Sequence, residues 1–391
     1  MKGKRFARVA TTAVAAMALG GGIAACGSDD DDGGGGSGGG GSGKSAKIAL
    51  LLPETKTARY ESQDRPNFER KVKELCSNCE IIYSNADQDP AKQLNQVEAA
   101  ITKQVDVMVL DPVDSASAAG MVAKAKAQDI PVISYDRLIR ESPNVDFYVT
   151  FDNFQVGVAQ GNALLRGLGL QNEDGSPGTA TGPFNVELFA GSLDDNNAFF
   201  FWDGAMSVLQ PLIDDGTLVV KSGQTSIEQA AILRWQQETA QRRMEDLLTS
   251  AYNDGSRVDG VLSPYDGLSR GIITALQNAG YGPTLDAANP MAVVTGQDAE
   301  IASVKLIADG VQSSTIFKDT RLLAEQAVAA ASAFAEGNEP EANDTETYDN
   351  GVKVVPSYLL ESDIVYKDNI QTLLVDSGYW TADEVASGVA E

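Results

Sequence analysis

The sequence predicts an α/β protein of two doubly wound halves, and three observations carry that reading. Short, nearly continuous aliphatic runs alternate with segments whose apolar residues recur at helical spacing. The alternation passes through several strands and then restarts near residue 146. Residues 45–391 are too many for one core and fit two. Aliphatic strands separated by helices belong to parallel sheets covered on both faces.

Residues 47–52 form the first short aliphatic run, followed by a polar turn and a helical pattern from about 66 to 75. A strand over 80–83 leads to Pro90, a residue suited to a helix start, and to a helix over 91–103. Residues 105–110 read as a buried strand ending in Asp111-Pro112, and a small-residue helix over 116–127 returns to a strand over 131–135. The second half opens with a strand over 146–151 and a helix from 154 to about 168. After a loop rich in Gly, Pro and Thr at 171–183, strands at 184–189, 217–220, 260–262 and 292–295 alternate with helices near 196–212, 227–252, 267–279 and 299–308. Residues 314–317 read as a further strand, and no short repeat is visible.

The N-terminus has a different character. Lys2, Lys4, Arg5 and Arg8 precede a stretch from 9 to 25 that is almost wholly apolar or small, interrupted by Gly20 to Gly22. That is the layout of a secretory signal rather than of a spanning helix. Ile23-Ala24-Ala25-Cys26 resembles the lipobox of bacterial lipoproteins. It implies a signal peptide over 1–25 and Cys26 as the lipid-bearing first residue, with an ordinary cysteine of the signal's apolar region as the alternative. Residues 27–44 hold four aspartates and a run of glycines with no apolar group to bury, so the segment 26–45 reads as a flexible tether. A coil of that length spans on the order of 25 Å. No later run approaches the ~20 apolar residues of a membrane span.

The first 44 residues carry five basic and four acidic groups, and the remainder carries 25 basic against 51 acidic ones. A body this acidic is a poor partner for nucleic acid or anionic headgroups. Histidine is absent, which removes the usual general base near neutral pH and the commonest zinc ligand. Cys76 and Cys79, as Cys-Ser-Asn-Cys, are the two remaining cysteines. Outside the membrane they read as a small structural disulfide, with a free or redox-active pair as the alternative.

Ligands of open parallel sheets bind beyond the carboxyl ends of strands. At those positions stand Thr55, Lys56, Arg59 and Tyr60, then Asp136-Arg137, Asp152-Asn153 and Asp194 to Asn197. Tyr265-Asp266, Gln297-Asp298 and Lys318 follow later strands. Carboxylates, amides, cations and rings together suit a neutral polyol, whose hydroxyls donate and accept and whose C–H face packs on a ring. Each Asp or Asn alone is equally a helix cap, but capping does not account for Arg59, Arg137 and Lys318.

Several longer segments are specific enough to carry a resemblance. They are Tyr135 to Arg140, Thr150 to Gly157, Gly191 to Phe201, Ser263 to Gly267, Gly296 to Glu300, Ser314 to Thr320 and Gly351 to Tyr358. Over residues 46–391 the chain resembles the substrate-binding component of multiple-monosaccharide and xylose ABC importers. The resemblance implies a type I periplasmic binding protein fold, two Rossmann-like lobes joined by three crossings. It places an N-lobe at 46–152 plus 317–350 and a C-lobe at 153–316 plus 351–391. It assigns sugar contacts to Arg59, Tyr60, Asp136, Arg137, Asn197, Trp235, Asp266, Asp298 and Lys318, with Lys56, Asp152 and Arg234 as weaker carry-overs. Tyr60 stands where relatives usually carry tryptophan and would stack on the sugar; Trp235 would do the same, with a packed core ring as its alternative. The implied protein is a monomeric, lipid-anchored receptor on the extracytoplasmic face that captures xylose-, glucose-, galactose- or arabinose-type aldopyranoses for an ABC permease. Presentation of bound sugar to a membrane signalling protein is the alternative.

Two other classes fit less well. Asp194-Asp195 could be proposed as a glycosidase pair, but adjacent turn residues set no ~5–9 Å carboxylate gap. A regulator of this fold would begin with a helix-turn-helix and a basic surface. Asp87-Gln88-Asp89 lacks the glycine and closing glutamate of a calcium loop, so neither metal nor cofactor is expected.

Overall fold

The structure, a computed structural model, describes residues 45–390. The expected signal peptide, Cys26 and most of the tether lie outside the described residues. The chain runs β1 (Lys47–Leu52), α1 (Arg65–Leu75), β2 (Glu80–Asn85), α2 (Pro90–Thr102), β3 (Val107–Leu110), α3 (Ala119–Lys126), β4 (Val132–Tyr135) and β5 (Phe147–Phe151). It crosses to α4 (Asn153–Gly167), β6 (Phe184–Leu188), α5 (Asn197–Asp214), β7 (Leu218–Val220), α6 (Ile227–Ala230) and α7 (Gln237–Ser250). There follow β8 (Gly260–Leu262), α8 (Asp266–Asn278), β9 (Val293–Val294), α9 (Ile301–Ala308) and β10 (Thr315–Phe317). A second crossing leads to α10 (Thr320–Glu336) and β11 (Ser357–Leu360), and a third to β12 (Asp363–Val365) and α11 (Ala382–Ser387).

The first sheet has the order β2-β1-β3-β4-β5-β11, all parallel, and the second β7-β6-β8-β9, also parallel. In each, the strand order reverses beside the first strand, β1 or β6, which opens a crevice at the carboxyl ends of the strands. The two-lobed α/β architecture expected from the alternation is the one observed. One boundary differs. β11 pairs with β5 in the first sheet, so residues 357–360 belong to the N-lobe and not, as expected, to the C-lobe with 351–391. The third crossing therefore lies after Leu360, where β12 turns antiparallel onto β10.

Strand periodicity explains the packing. Along β1, Ile48, Leu50 and Leu52 face a cluster containing Phe68 and Val72 of α1 and Leu323 and Ala327 of α10. Ala49 and Leu51 face the opposite cluster, with Val97 of α2 and Val122 of α3. Successive side chains point to opposite faces, so an aliphatic strand needs helices on both. Each fully buried leucine or phenylalanine contributes roughly 1.5–3 kcal/mol. In the C-lobe, α4 and α5 touch at backbone distance. A Cβ at Gly157 would lie 2.2 Å from the Phe201 carbonyl oxygen, and one at Gly204 would lie 2.1 Å from that of Phe154. This close approach fixes α5, whose first turns carry Asn197 and Phe201.

The helix expected over 227–252 is interrupted. α6 ends at Ala230, a single turn spans Leu233–Trp235, and α7 starts at Gln237. Arg234 and Trp235 both take left-handed conformations, with φ of 55° and 54°. Residues other than glycine adopt such φ uncommonly, and here the break turns the Trp235 ring into the cleft.

Candidate functional site

The cleft between the lobes holds a small cavity of about 30 Å³. Loops beyond β1 supply Thr57, Arg59 and Tyr60, and the turn after β4 supplies Asp136 and Arg137. From the other side come Asp195, Asn197 and Phe201 around the start of α5, Trp235, Tyr265, and Gln297-Asp298 beyond β9; Lys318 lies at a crossing.

Asp136 occupies a left-handed position, with φ of 57°, that aspartate tolerates better than most residues. Its Oδ2 accepts from Arg59 Nη2 at 2.6 Å and from the Tyr60 hydroxyl at 2.9 Å. Burial pushes this carboxyl up, but Arg59, Lys318 and Arg137 outweigh it and hold it at about 2. Arg59 is also held by Asp64, whose Oδ1 lies 2.9 Å from Nη1, and its Nε lies 3.8 Å from Asp298 Oδ2. Lys318 Nζ lies 3.0 Å from Asp298 Oδ1 and within 5.6 Å of the ring centres of Phe151 and Phe201. Arg137 Nε lies 3.1 Å from Asp195 Oδ2, across the cleft. Every cation here has an anion, so the charges are matched before any ligand arrives. Arg59 Nε and Asp136 Oδ1 are nonetheless buried with no hydrogen-bond partner. Such orphaned groups mark places where a ligand's hydroxyl can accept and donate.

Aromatic edges complete the lining. Trp235 meets Phe201 and Tyr265 edge-on, with ring centres 6.4 and 6.1 Å away, and its Nε1 donates to Asp195 Oδ2 at 3.2 Å. Gly191 leaves the space the indole needs, since a Cβ there would stand 2.1 Å from Cη2.

Eight of the nine expected contacts, namely Arg59, Tyr60, Asp136, Arg137, Asn197, Trp235, Asp298 and Lys318, line this cavity. Asp266 does not. It is fully buried behind the cavity, where it accepts from Gln312 Nε2 at 2.9 Å, the Glu300 amide at 2.9 Å and Thr315 Oγ1 at 3.0 Å. Burial and the Glu300 charge push its carboxyl up to about 8 against the pull of Arg270. As the first residue of α8 it organises the loop that presents Gln297 and Asp298. Asp152 is elsewhere too: it caps α4 through the Gln155 amide and borders a separate groove with Glu361 and Asp363. Lys56 and Arg234 lie at the rim, where Lys56 Nζ donates to the Arg234 carbonyl at 2.8 Å. Tyr60 contributes a hydroxyl bond to Asp136 as well as a ring.

Thr57, Asp195, Phe201, Tyr265 and Gln297 line the cavity without having been assigned to it. Asp195, Tyr265 and Gln297 stood in the inventory of residues beyond strands; Phe201, one helical turn past Asn197, could have been found by continuing along that face. Cys76 and Cys79 are joined as a disulfide, away from the cleft. Asp87 pairs with Lys92 and Asp89 caps α2, so neither carboxylate is uncommitted. Among the described residues no helix is long and apolar enough to cross a membrane.

A family described as periplasmic binding protein domain matches residues 48–339. The chain is 50% identical over 338 residues to the multiple sugar-binding periplasmic receptor ChvE of Rhizobium radiobacter, covering 86% of this chain and 92% of that one. It is 32% identical over 342 residues to the D-xylose-binding periplasmic protein of Escherichia coli strain K12, covering 88% and 93%. Among solved structures, an ABC transporter solute binding protein from Clostridium phytofermentans with bound β-D-glucose aligns at a TM-score of 0.79 and 41% identity, covering 87% of this chain and 99% of that one.

Proposed function

Because the chain belongs to the periplasmic binding protein family, we propose that its cleft captures a neutral aldopyranose by closure of the two lobes and delivers it to an ABC importer. One observation carries the reading: cations and carboxylates from both lobes are already paired, yet keep buried hydrogen-bonding atoms free beside a cluster of rings. A neutral polyol can bridge such groups without bringing a charge of its own, and its C–H face finds the rings. Arg59, Tyr60, Asp136 and Arg137 are the N-lobe contacts, Asn197, Trp235 and Asp298 the C-lobe contacts, and Lys318 serves at the crossing. Thr57, Asp195, Phe201, Tyr265 and Gln297 join them.

No catalytic role is proposed. Asp195 is occupied by Arg137, the Asn197 amide and Trp235, which leaves Asp194 without a second free carboxylate beside it. On the sequence of its first 45 residues, the receptor is a lipoprotein held at the extracytoplasmic face through Cys26; the resemblance of the rest of the chain supports a monomer that works with a permease. A thermal-shift panel of monosaccharides tests the binding reading, since a ligand that binds only the folded state raises its melting temperature. Stabilisation by one or more of xylose, glucose, galactose and arabinose is expected; no shift with any of them, and none with other neutral monosaccharides, would refute it.

A further inference from the structure

Outside the sugar cavity a second set of contacts spans the cleft. Lys56 Nζ donates to the main-chain oxygens of Arg234 at 2.8 Å and Trp235 at 3.2 Å. Gln88 Nε2 donates to the same Arg234 oxygen at 3.1 Å, and Gln236 Nε2 donates to Gln88 Oε1 at 2.8 Å. Lys56 follows β1 and Gln88 follows β2, so both belong to the N-lobe; residues 234–236 belong to the C-lobe. None of Lys56, Gln88 and Gln236 lines the cavity.

Both sides of this junction are irregular in the same way. Asp87 and Gln88 have φ of 51° and 62°, facing Arg234 and Trp235 at 55° and 54°. Such values are uncommon for residues other than glycine. The 234–235 turn is held by Ser192 Oγ, which accepts from the Arg234 amide at 2.6 Å, by the indole bond to Asp195, and by the N-lobe donors just named. The Ser192 contact lies within the C-lobe, whereas the Lys56 and Gln88 contacts exist only when the lobes meet.

We propose that Lys56 and Gln88 are positioning residues that form a sugar-independent latch. They hold the turn bearing Trp235 in the closed arrangement and set how much of the binding free energy closure consumes. The inference rests on the sugar-receptor reading and goes beyond it by separating closure from recognition. Lys56, expected from resemblance to touch the sugar, acts here through the main chain of Trp235. Because the acceptors are backbone oxygens, the latch is blind to which sugar is bound. Lowering the population of the binding-competent form divides every apparent affinity by the same factor.

Titration calorimetry on the full-length chain and its Lys56→Met and Gln88→Ala variants, with D-glucose, D-galactose, D-xylose and L-arabinose, tests this. Each variant should lose about three- to tenfold in affinity for every sugar the parent binds, by one common factor, with the ranking of sugars unchanged. The sugar-free melting temperature of Gln88→Ala should not move, because Gln88 is partly exposed and its side chain bonds across the cleft, whereas Lys56 also pairs with the buried Glu54 of its own lobe at 3.8 Å. Unchanged affinities in both variants would overturn the latch, and so would a loss confined to some sugars, which would mean direct contact. A lowered sugar-free melting temperature in Gln88→Ala would assign the junction to stability and overturn it too. A parent that binds none of the four would instead refute the sugar-receptor reading itself.

Discussion

Asn197 donates from Nδ2 to the main-chain oxygen of Asp136 at 2.9 Å, joining two cavity residues that belong to different lobes. The same oxygen accepts from the Tyr148 hydroxyl at 2.8 Å and Thr150 Oγ1 at 2.9 Å, both within the N-lobe. The left-handed turn at Asp136 thus does two things at once. It aims the carboxylate at Arg59 and Tyr60, and it offers the carbonyl to the opposite lobe. Closure and ligand recognition share one residue.

The indole of Trp235 should be the main apolar contact. Trp235→Ala is expected to weaken sugar binding by roughly 1–3 kcal/mol in titration calorimetry while folding survives. Gly191→Ala should produce a comparable loss with the indole still present, because the added methyl needs the space the ring occupies. Normal binding by both variants would move Trp235 to a packing role.

Asp298 should matter for folding as well as binding. It is paired with Lys318 and approaches Arg59, all three nearly inaccessible to solvent. Removing one member of a buried ion pair leaves a charge uncompensated, at a cost of roughly 3–5 kcal/mol. Asp298→Ala should therefore unfold at lower urea and bind sugar much more weakly, whereas a loss of binding without loss of stability would show that Lys318 finds another partner.

Stability should depend on pH with a definite sign. Asp266 is raised in the folded state to about 8, against ~3.9 for an unperturbed aspartate. A carboxyl raised on folding contributes stability that is complete below ~4 and is lost as pH rises towards its folded value. Asp64, raised by burial to about 6 against the pull of Arg59, acts in the same direction over a narrower span. Asp136 acts oppositely, losing its contribution only as pH falls through about 2. The melting temperature should fall between pH 5 and pH 8, and Asp266→Asn should flatten the part of that slope above pH 6. An identical slope in the variant would remove Asp266 from the account.

The sequence carried the strands and the polar residues beyond them, because aliphatic runs and the position after a strand are local signals. It was weaker where tertiary contacts overrule local preference. The residues from Ile227 to Ser250 read as one helix, yet Lys56, Gln88 and Ser192 hold the left-handed break at Arg234 and Trp235 from distant parts of the chain. Asp266 follows a strand just as Asp136 does, and only the packing of Gln312, Glu300 and Thr315 around it shows that it faces away from the cavity. The N-lobe placement of β11 depends on pairing with β5, some two hundred residues earlier in the chain, which no local pattern records.

Lobe closure on a monosaccharide is the central claim, and small-angle X-ray scattering of the purified protein tests it most directly. Sugar contacts divided between two lobes are complete only when the lobes meet, so a cognate sugar must shift the population towards the compact form. The radius of gyration should fall on saturation with a cognate aldopyranose, and Asp298→Ala should need far more sugar to reach the same value. An unchanged radius of gyration at saturating sugar would contradict the two-lobe clamp, even with binding intact.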